Sequence, residues 1–244
     1  MKRLLLIFGL CAPLFAAGGL VFIYLGLPDV THLKTRNPKS TALIEQRIGE
    51  AQRAGRPFKR RQVWVGFEAI PDLLKDAVRV AEDARFYEHE GIDYEELQEA
   101  VRKNIEQGQI VRGASTITQQ LAKNLYLSTE RSFTRKAKEV LITRRLEQSL
   151  SKDRIFHLYL NVIEFGPGIF GVEAAARHYF GRGAGQLGLE EIVRLTAVIP
   201  KPLSEDPTRN SGWLKWRARW ILSILRKTGK ISADQHRDVV ARFK

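Results

Sequence analysis

Apolar positions along this chain fall into three kinds of run, and each predicts a different element. The first is continuous: residues 4–27 carry no charged side chain and follow Lys2-Arg3. Such a run can cross ~30 Å of hydrocarbon, whereas the apolar core of a cleaved signal sequence spans roughly 7 to 15 residues. It predicts an uncleaved single-pass anchor, with cleavage in the small-residue patch Ala16-Ala17-Gly18-Gly19 as the alternative. The second kind recurs every three or four residues and predicts helices over 42–54, 71–87, 132–149, around Ala174-Ala175-Ala176, over 189–198 and over 213–227. Pro71 suits a first helical position, and Pro200 and Pro202 suit a stop. In the last of these helices Trp213, Trp216 and Trp220 stand at i, i+3 and i+7, the spacing of a core stripe. The third kind is the single convincing strand candidate, Val63-Trp64-Val65-Gly66-Phe67. The pattern therefore describes a mainly α protein, with a loop over 105–113 at Gly108 and a turn over 164–171.

Length and charge narrow this picture. With 244 residues, the chain has room for one globular domain of roughly 180 to 200 residues after a leader. The expected organisation is a tail at 1–3, the anchor at 4–27, a basic connector at 28–61 and the domain at 62–244. The formal charge is +13, which suits phosphate-bearing or membrane-surface partners and leaves nucleic acid as the rival. Arg53, Arg56, Lys59, Arg60 and Arg61 read as a solvated face. Beside an anchor they would also meet anionic lipid, at ~1 kcal/mol per basic residue. Lys34, Arg36 and Lys39 offset Lys2 and Arg3, so charge alone does not orient the anchor. The single cysteine, Cys11, excludes an internal disulfide, and no zinc-ligand spacing or internal repeat is present.

Candidate chemistry concentrates between Ala81 and Glu139. On the predicted 71–87 helix, Leu74, Val78, Glu82 and Phe86 share a face, which places the Glu82 carboxyl among apolar neighbours. Lost hydration raises a carboxyl pKa, as a general base or acid working near neutral pH requires. The competing reading is an ion pair with Arg79, Arg85 or a distant cation. Arg135 and Glu139 stand four apart on the 132–149 helix, a spacing equally common in surface pairs. Gly113-Ala114-Ser115-Thr116 reads as a turn into a helix whose free N–H groups could receive phosphate.

The order and spacing of four clusters resemble the glycosyltransferase family 51 domain of peptidoglycan polymerases, over residues 63–225. Glu82-Asp83-Ala84-Arg85-Phe86-Tyr87-Glu88-His89-Glu90-Gly91 is similar to that family's Glu-Asp-x-x-Phe-x-x-His-x-Gly. Gly113-Ala114-Ser115-Thr116-Ile117-Thr118-Gln119-Gln120 follows Gly-x-Ser-Thr-x-Thr-Gln-Gln, and Arg135-Lys136-Ala137-Lys138-Glu139 follows Arg-Lys-x-x-Glu. Residues 152–161 resemble Lys-x-x-Ile-Leu-Glu-x-Tyr-Leu-Asn. The chain departs from the pattern at Ala84, Ala114 and His157, and at Ala218, which follows Arg217 in a fifth motif and leaves that motif's role in doubt.

The resemblance implies a lysozyme-like large lobe with a smaller lobe behind a transmembrane helix. It also implies polymerisation of lipid II, with a lipid diphosphate as leaving group, by a domain outside the cytoplasmic membrane. Glu82 would be the general base, and Glu139 would assist catalysis by orienting the cations or contacting the donor. Lys123, Arg131, Arg135 and Lys136 would receive the diphosphate, and Asp83, Phe86, His89, Ser115, Thr116, Gln119 and Gln120 would shape the cleft. No metal site or obligatory cofactor is implied, although Mg²⁺ or Mn²⁺ could bridge the diphosphate. The implied partners are lipid II, the lipid-linked growing glycan, the membrane and cell-wall synthesis proteins, and not nucleic acid. A glycan-cleaving lysozyme-like enzyme and a membrane-tethered basic binding protein are the alternatives. Ser149-Leu150-Ser151-Lys152 and Lys227-Thr228-Gly229 match two transpeptidase signatures, but no Ser-x-Asn separates them and too little chain follows for a second domain.

Overall fold

Side-chain caps set the start of most helices in this protein. The structure, a computed structural model, describes residues 26–108, 113–130 and 132–244. Helix α1 (Ala42–Arg53) opens at Thr41, whose hydroxyl accepts from Ile44 N. After β1 (Arg61–Gln62) comes α2 (Asp72–Glu82), with Pro71 as its N-cap. Helix α3 (Tyr94–Gln107) opens on the Asp93 carboxylate and closes on left-handed Gly108. Thr116 and Gln119 form a reciprocal capping box on α4 (Ile117–Tyr126). Ser132 caps α5 (Phe133–Ser149) and Ser151 caps α6 (Lys152–Val162). A hairpin of β2 (Glu164–Gly166) and β3 (Ile169–Phe170) leads to α7 (Val172–Phe180) and α8 (Leu189–Val198). Ser211 then caps α9 (Gly212–Lys227) and Ser232 caps α10 (Ala233–Val240). Each Ser, Thr or Asp cap stabilises its helix by about 1 kcal/mol.

Two groups of helices share one core. Helix α4 packs on α1, α5 and α6, whereas α2 packs on α8 and α9, and α9 also packs on α8 and α10. A continuous apolar cluster joins both groups, from Val30 and Leu33 through Leu121, Phe156 and Tyr159 to Leu225 and Phe243. The strands form one small sheet in the order β1-β3-β2, with Arg61 beside Ile169 in the parallel pair. Arg47 on α1 reaches the buried Glu164 at 2.8 Å and ties this sheet to the first helical group. Gly171, which opens α7, has φ 81°, and a Cβ there would stand 2.6 Å from the Asn161 carbonyl oxygen.

Several elements differ from what periodicity predicts. Helix α2 stops at Glu82 instead of continuing to residue 87, because Asp83 leaves helical geometry to bond a distant helix. Phe86 is nevertheless fully buried from within the following turn. Residues 63–67 do not pair in the sheet: Asn161 holds both the N–H and the carbonyl of Val65, and His157 Nε2 donates to the same carbonyl at 2.8 Å. The 164–171 turn is instead a hairpin. The helix before Gly108 extends to Gln107, and α10 follows what the pattern presents as the last helix. The tryptophan stripe is not core, since Leu214, Ala218, Ile221, Leu222 and Leu225 form the buried face of α9. The connector is packed against the body through Val30, Leu33, Leu43 and Ile44. Arg154 holds the Leu33 and Arg36 carbonyls, which fixes its path. Among the described residues no helix is long and apolar enough to cross a membrane. Residues 4–25 of the expected anchor lie outside the described residues, as do Arg131 and part of the 105–113 loop.

Candidate active site

The two helical groups meet at the C-terminal end of α2, and Glu82 is the residue placed there. Its side chain is 8% exposed, and each carboxylate oxygen is held from a different group. Arg217 Nη2, from α9, donates to Oε1 at 2.8 Å and to the Ala81 carbonyl at 3.2 Å. Gln120 Nε2, from α4, donates to Oε2 at 3.0 Å. The Tyr159 hydroxyl donates to Gln120 Oε1 at 3.0 Å, so the amide can only present its N–H₂ to Glu82. Burial pushes the Glu82 carboxyl above the usual carboxylate range, opposed by Arg217 and Gln120 and reinforced by the neighbouring Asp83. The ion pair with a distant cation and the desolvated acid, competing readings of the sequence, are both present at this one residue.

Lys123 lies one helical turn beyond Gln120 on α4 and faces two carboxylates. Burial lowers its pKa, Glu139 and more weakly Glu82 draw it back up, and Arg135 and Lys136 press it down. Glu139 is itself buried, with Arg135 Nη1 at 2.6 Å from Oε2 and Lys136 Nζ at 2.5 Å from Oε1. This is no surface pair: the Glu139 side chain is 5% exposed. The arrangement is a row of charges running from Glu82 through Lys123 to Glu139 and its two cations. A row of cations set among buried carboxylates can take up negative charge that develops on a departing group.

Other residues expected in the cleft build its frame. Asp83 Oδ2 accepts from Ile117 N at 3.0 Å and so occupies the α4 N-terminus that the sequence offered to phosphate. His89 Nδ1 accepts from Gly91 N at 3.1 Å, so Nε2 carries the proton and donates to Asp83 at 2.9 Å. Thr116 donates to the Gly91 carbonyl at 2.7 Å while capping α4 together with Gln119. Gly91 has φ 87°, and a Cβ there would lie 2.6 Å from Thr143 Cγ2. Phe86 packs 5.5 Å from Phe156, with Lys152 Nζ 4.5 Å above its ring. Ser115 is exposed at the mouth of α4. These residues position the site; Glu82, Gln120, Lys123, Arg135, Lys136 and Glu139 line the charge row.

Two contributors escape the sequence reading. Arg217 falls in the motif whose role was doubtful, and Tyr159 lies in the fourth motif without an assigned part. The signal for Arg217 was its place at the first position of the fifth motif, beside the tryptophan stripe of α9.

Asp83, His89 and Asp93 bring potential metal-ligand atoms within 4.8 Å of one another. Their lone pairs are already committed, since His89 Nε2 is protonated, Asp93 Oδ1 caps Glu96 N at 2.9 Å and Arg85 Nε lies 3.4 Å from Asp93 Oδ2. The trio fits a hydrogen-bonded brace better than a cation site. Two cavities lie away from Glu82: one of about 300 Å³ beside Lys75, Arg79 and Tyr87, and one of about 480 Å³ beside Arg47, Phe58 and Leu203.

Comparison with known proteins assigns the chain to a family. The transglycosylase family matches residues 48–226. The biosynthetic peptidoglycan transglycosylase of Janthinobacterium sp. (strain Marseille) is 46% identical over 186 residues, covering 76% of this chain and 80% of that protein. Its namesake from Nitrosomonas eutropha is 45% identical over 205 residues, 84% of each chain. That from Chromobacterium violaceum is 40% identical over 221 residues, covering 91% of this chain and 96% of that protein. Because the match spans the helices that carry Glu82, Lys123, Glu139 and Arg217, the chain belongs to the transglycosylase family.

Proposed function

We propose that this transglycosylase polymerises lipid II into peptidoglycan strands, with Glu82 as general base. The observation that carries the reading is the charge row: one buried carboxylate poised by Arg217 and Gln120, then Lys123, then a second carboxylate flanked by Arg135 and Lys136. The 4-hydroxyl of the acceptor sugar gives its proton to Glu82 as its oxygen attacks the donor anomeric carbon from the face opposite the leaving group. The bond from that carbon to the diphosphate oxygen breaks, and its electron pair leaves on the lipid diphosphate with inversion at carbon. Lys123, Arg135 and Lys136 receive that charge, and Arg131, outside the described residues, is expected beside them. A positioned base contributes about 10² to 10⁴ in rate. Glu139 keeps the cations in place, and both of its oxygens face them, an arrangement unlike the paired carboxyls of glycan cleavage. Mg²⁺ or Mn²⁺ at the diphosphate would find Glu139 already committed to its two cations, so the cationic side chains suffice for the reading.

The same reading places a two-lobed, lysozyme-like domain on the outer face of the cytoplasmic membrane, held by the run at 4–27. Tyr94, Leu97, Val101 and Ile105 support it, because they form an exposed apolar stripe along α3 at helical spacing. Purified protein in detergent is expected to convert lipid II into glycan, and Glu82→Gln to remove nearly all of this while the protein stays folded. Shortening of preformed glycan with lipid II left intact would overturn the assignment.

A further inference from the structure

The tryptophan face of α9 is left over from the site as described. Trp216 is 51% exposed and Trp220 38%, values that no packing role for two indole rings explains. Trp213 is half-buried beneath them, its ring 5.2 Å from that of Trp216, with Lys201 Nζ 3.7 Å from its centroid. The face is held in place as well as exposed. It is also continuous with the catalytic carboxylate, since the Arg217 guanidinium that bonds Glu82 lies 5.2 Å from the Trp220 ring.

Position selects the occupant. Glu82 Oε2 accepts from Gln120 on α4, the helix that carries Lys123 one turn further on; Oε1 accepts from Arg217, whose guanidinium lies beside Trp220. Sugar that is not adjacent to the departing diphosphate therefore lies toward α9, where the exposed rings are. The chemistry agrees. One face of a pyranose presents a patch of C–H bonds that packs on an indole, while its hydroxyl and amide oxygens need donors at the rim. Lys215, Arg217 and Arg219 alternate with the rings on this helix. The exposed aliphatic stripe Leu97, Val101 and Ile105 lies on α3, not on this helix.

We propose that Trp216 and Trp220 form a sugar-stacking platform that binds β-linked N-acetylhexosamine units of the glycan beside Glu82. The inference rests on the glycosyl-transfer reading above for the class of its ligand. The test is a titration of the full-length protein in detergent with a lipid-free β-1,4-linked N-acetylglucosamine hexamer, followed by isothermal calorimetry, a readout that does not depend on the rings the variants remove. Trp216→Ala and Trp220→Ala are each expected to weaken binding about tenfold, the scale of one aromatic contact, and Trp216→Phe to retain most of it. Thermal melting of each variant shows that the fold survives. No binding by the wild type, or equal binding by the wild type and the Trp216→Ala/Trp220→Ala double variant, would overturn the platform. So would a double variant that loses affinity for anionic lipid vesicles and keeps it for the hexamer. Lipid II consumption by the wild type, measured separately, reports on the reaction itself: a protein that binds the hexamer through these rings but never polymerises lipid II refutes the reaction and not the platform.

Discussion

Replacing Arg217 by methionine tests whether this cation favours the ionised form of Glu82, the proposed base. The substitution keeps much of the side-chain volume and removes the cation 2.8 Å from Glu82 Oε1. Arg217 and Glu82 side chains are 13% and 8% exposed, so little water is available to replace the lost partner. Breaking a buried pair by removing one member costs about 3 to 5 kcal/mol. Slight exposure and the surviving Gln120 bond put this case at the lower end, about 3 kcal/mol against the ionised form, or about two pKa units. The groups that remain to set Glu82 are Asp83 beside it, Gln120 and Lys123 from α4, and Tyr159 from α6.

The sign follows directly. Glu82 already has a carboxyl pKa raised by burial, and without Arg217 it rises further. General-base activity needs the ionised form, so the acidic limb of the rate profile moves to higher pH. Initial rates of glycan formation between pH 5 and 9 are expected to show that limb displaced by about two pH units in Arg217→Met and much less in Arg217→Lys. At high pH the methionine variant recovers part of its rate. A drop of equal size at every pH, with the limb unmoved, would refute the argument and leave Arg217 as a packing residue.

Other substitutions separate function from stability in the same site. Because the folded Glu82 pKa is raised, its ionisation opposes folding once the pH exceeds the unfolded value; Glu82→Gln is therefore expected to melt no lower than wild type at pH 7.5 and to lose any advantage as the pH falls toward 4. A lower melting temperature at pH 7.5 would show that the carboxylate is a net structural asset. Lys123 has a pKa depressed by burial, so its charge also opposes folding at neutral pH. Lys123→Ala should cut lipid II turnover about a hundredfold or more while leaving calorimetric stability unchanged or higher, and an unfolded variant would make the lysine structural. Gly91→Ala forces a left-handed backbone and a Cβ against Thr143, so urea unfolding should show a loss of about 2 kcal/mol or more; a neutral change would mean the turn can relax.

Local signals in the sequence were good guides where the structure is local. Helix α5 begins at its Ser132 cap and ends at Ser149 as the pattern predicts, and α8 occupies 189–198. The Gly113-Ala114-Ser115-Thr116 turn does lead into a helix, α4. Two failures, the end of α2 and the partner of Glu82, share one cause, which is a partner far along the chain. Nothing near residue 82 says that α2 must end there, since Phe86 keeps the spacing of four. What ends it is Asp83 bonding Ile117, 34 positions away. The partner of Glu82 is 135 positions away, in a motif weakened by Ala218, so the sequence could state the need for a cation without naming it.

The tryptophan stripe failed for a different reason, and the reason was readable. Two stripes compete for the core side of α9: Trp213, Trp216 and Trp220, or Leu214, Ala218, Ile221, Leu222 and Leu225. An indole buried without a partner for its N–H carries a cost that an aliphatic side chain does not. Trp213 shows it, because its Nε1 is buried with no hydrogen-bond partner. The aliphatic stripe is also longer and close-packs in interdigitating layers, so it takes the interior and turns the rings outward. The same rotation brings Arg217, at the border between the stripes, onto Glu82. Had the tryptophans been buried, Arg217 would face away from α2, and the carboxylate would be left with Gln120 alone. The exposure of the rings and the Arg217 contact to Glu82 are thus two consequences of one helix orientation. They should fail together in any variant that rotates α9, such as one that replaces Leu214 and Ile221 by polar residues.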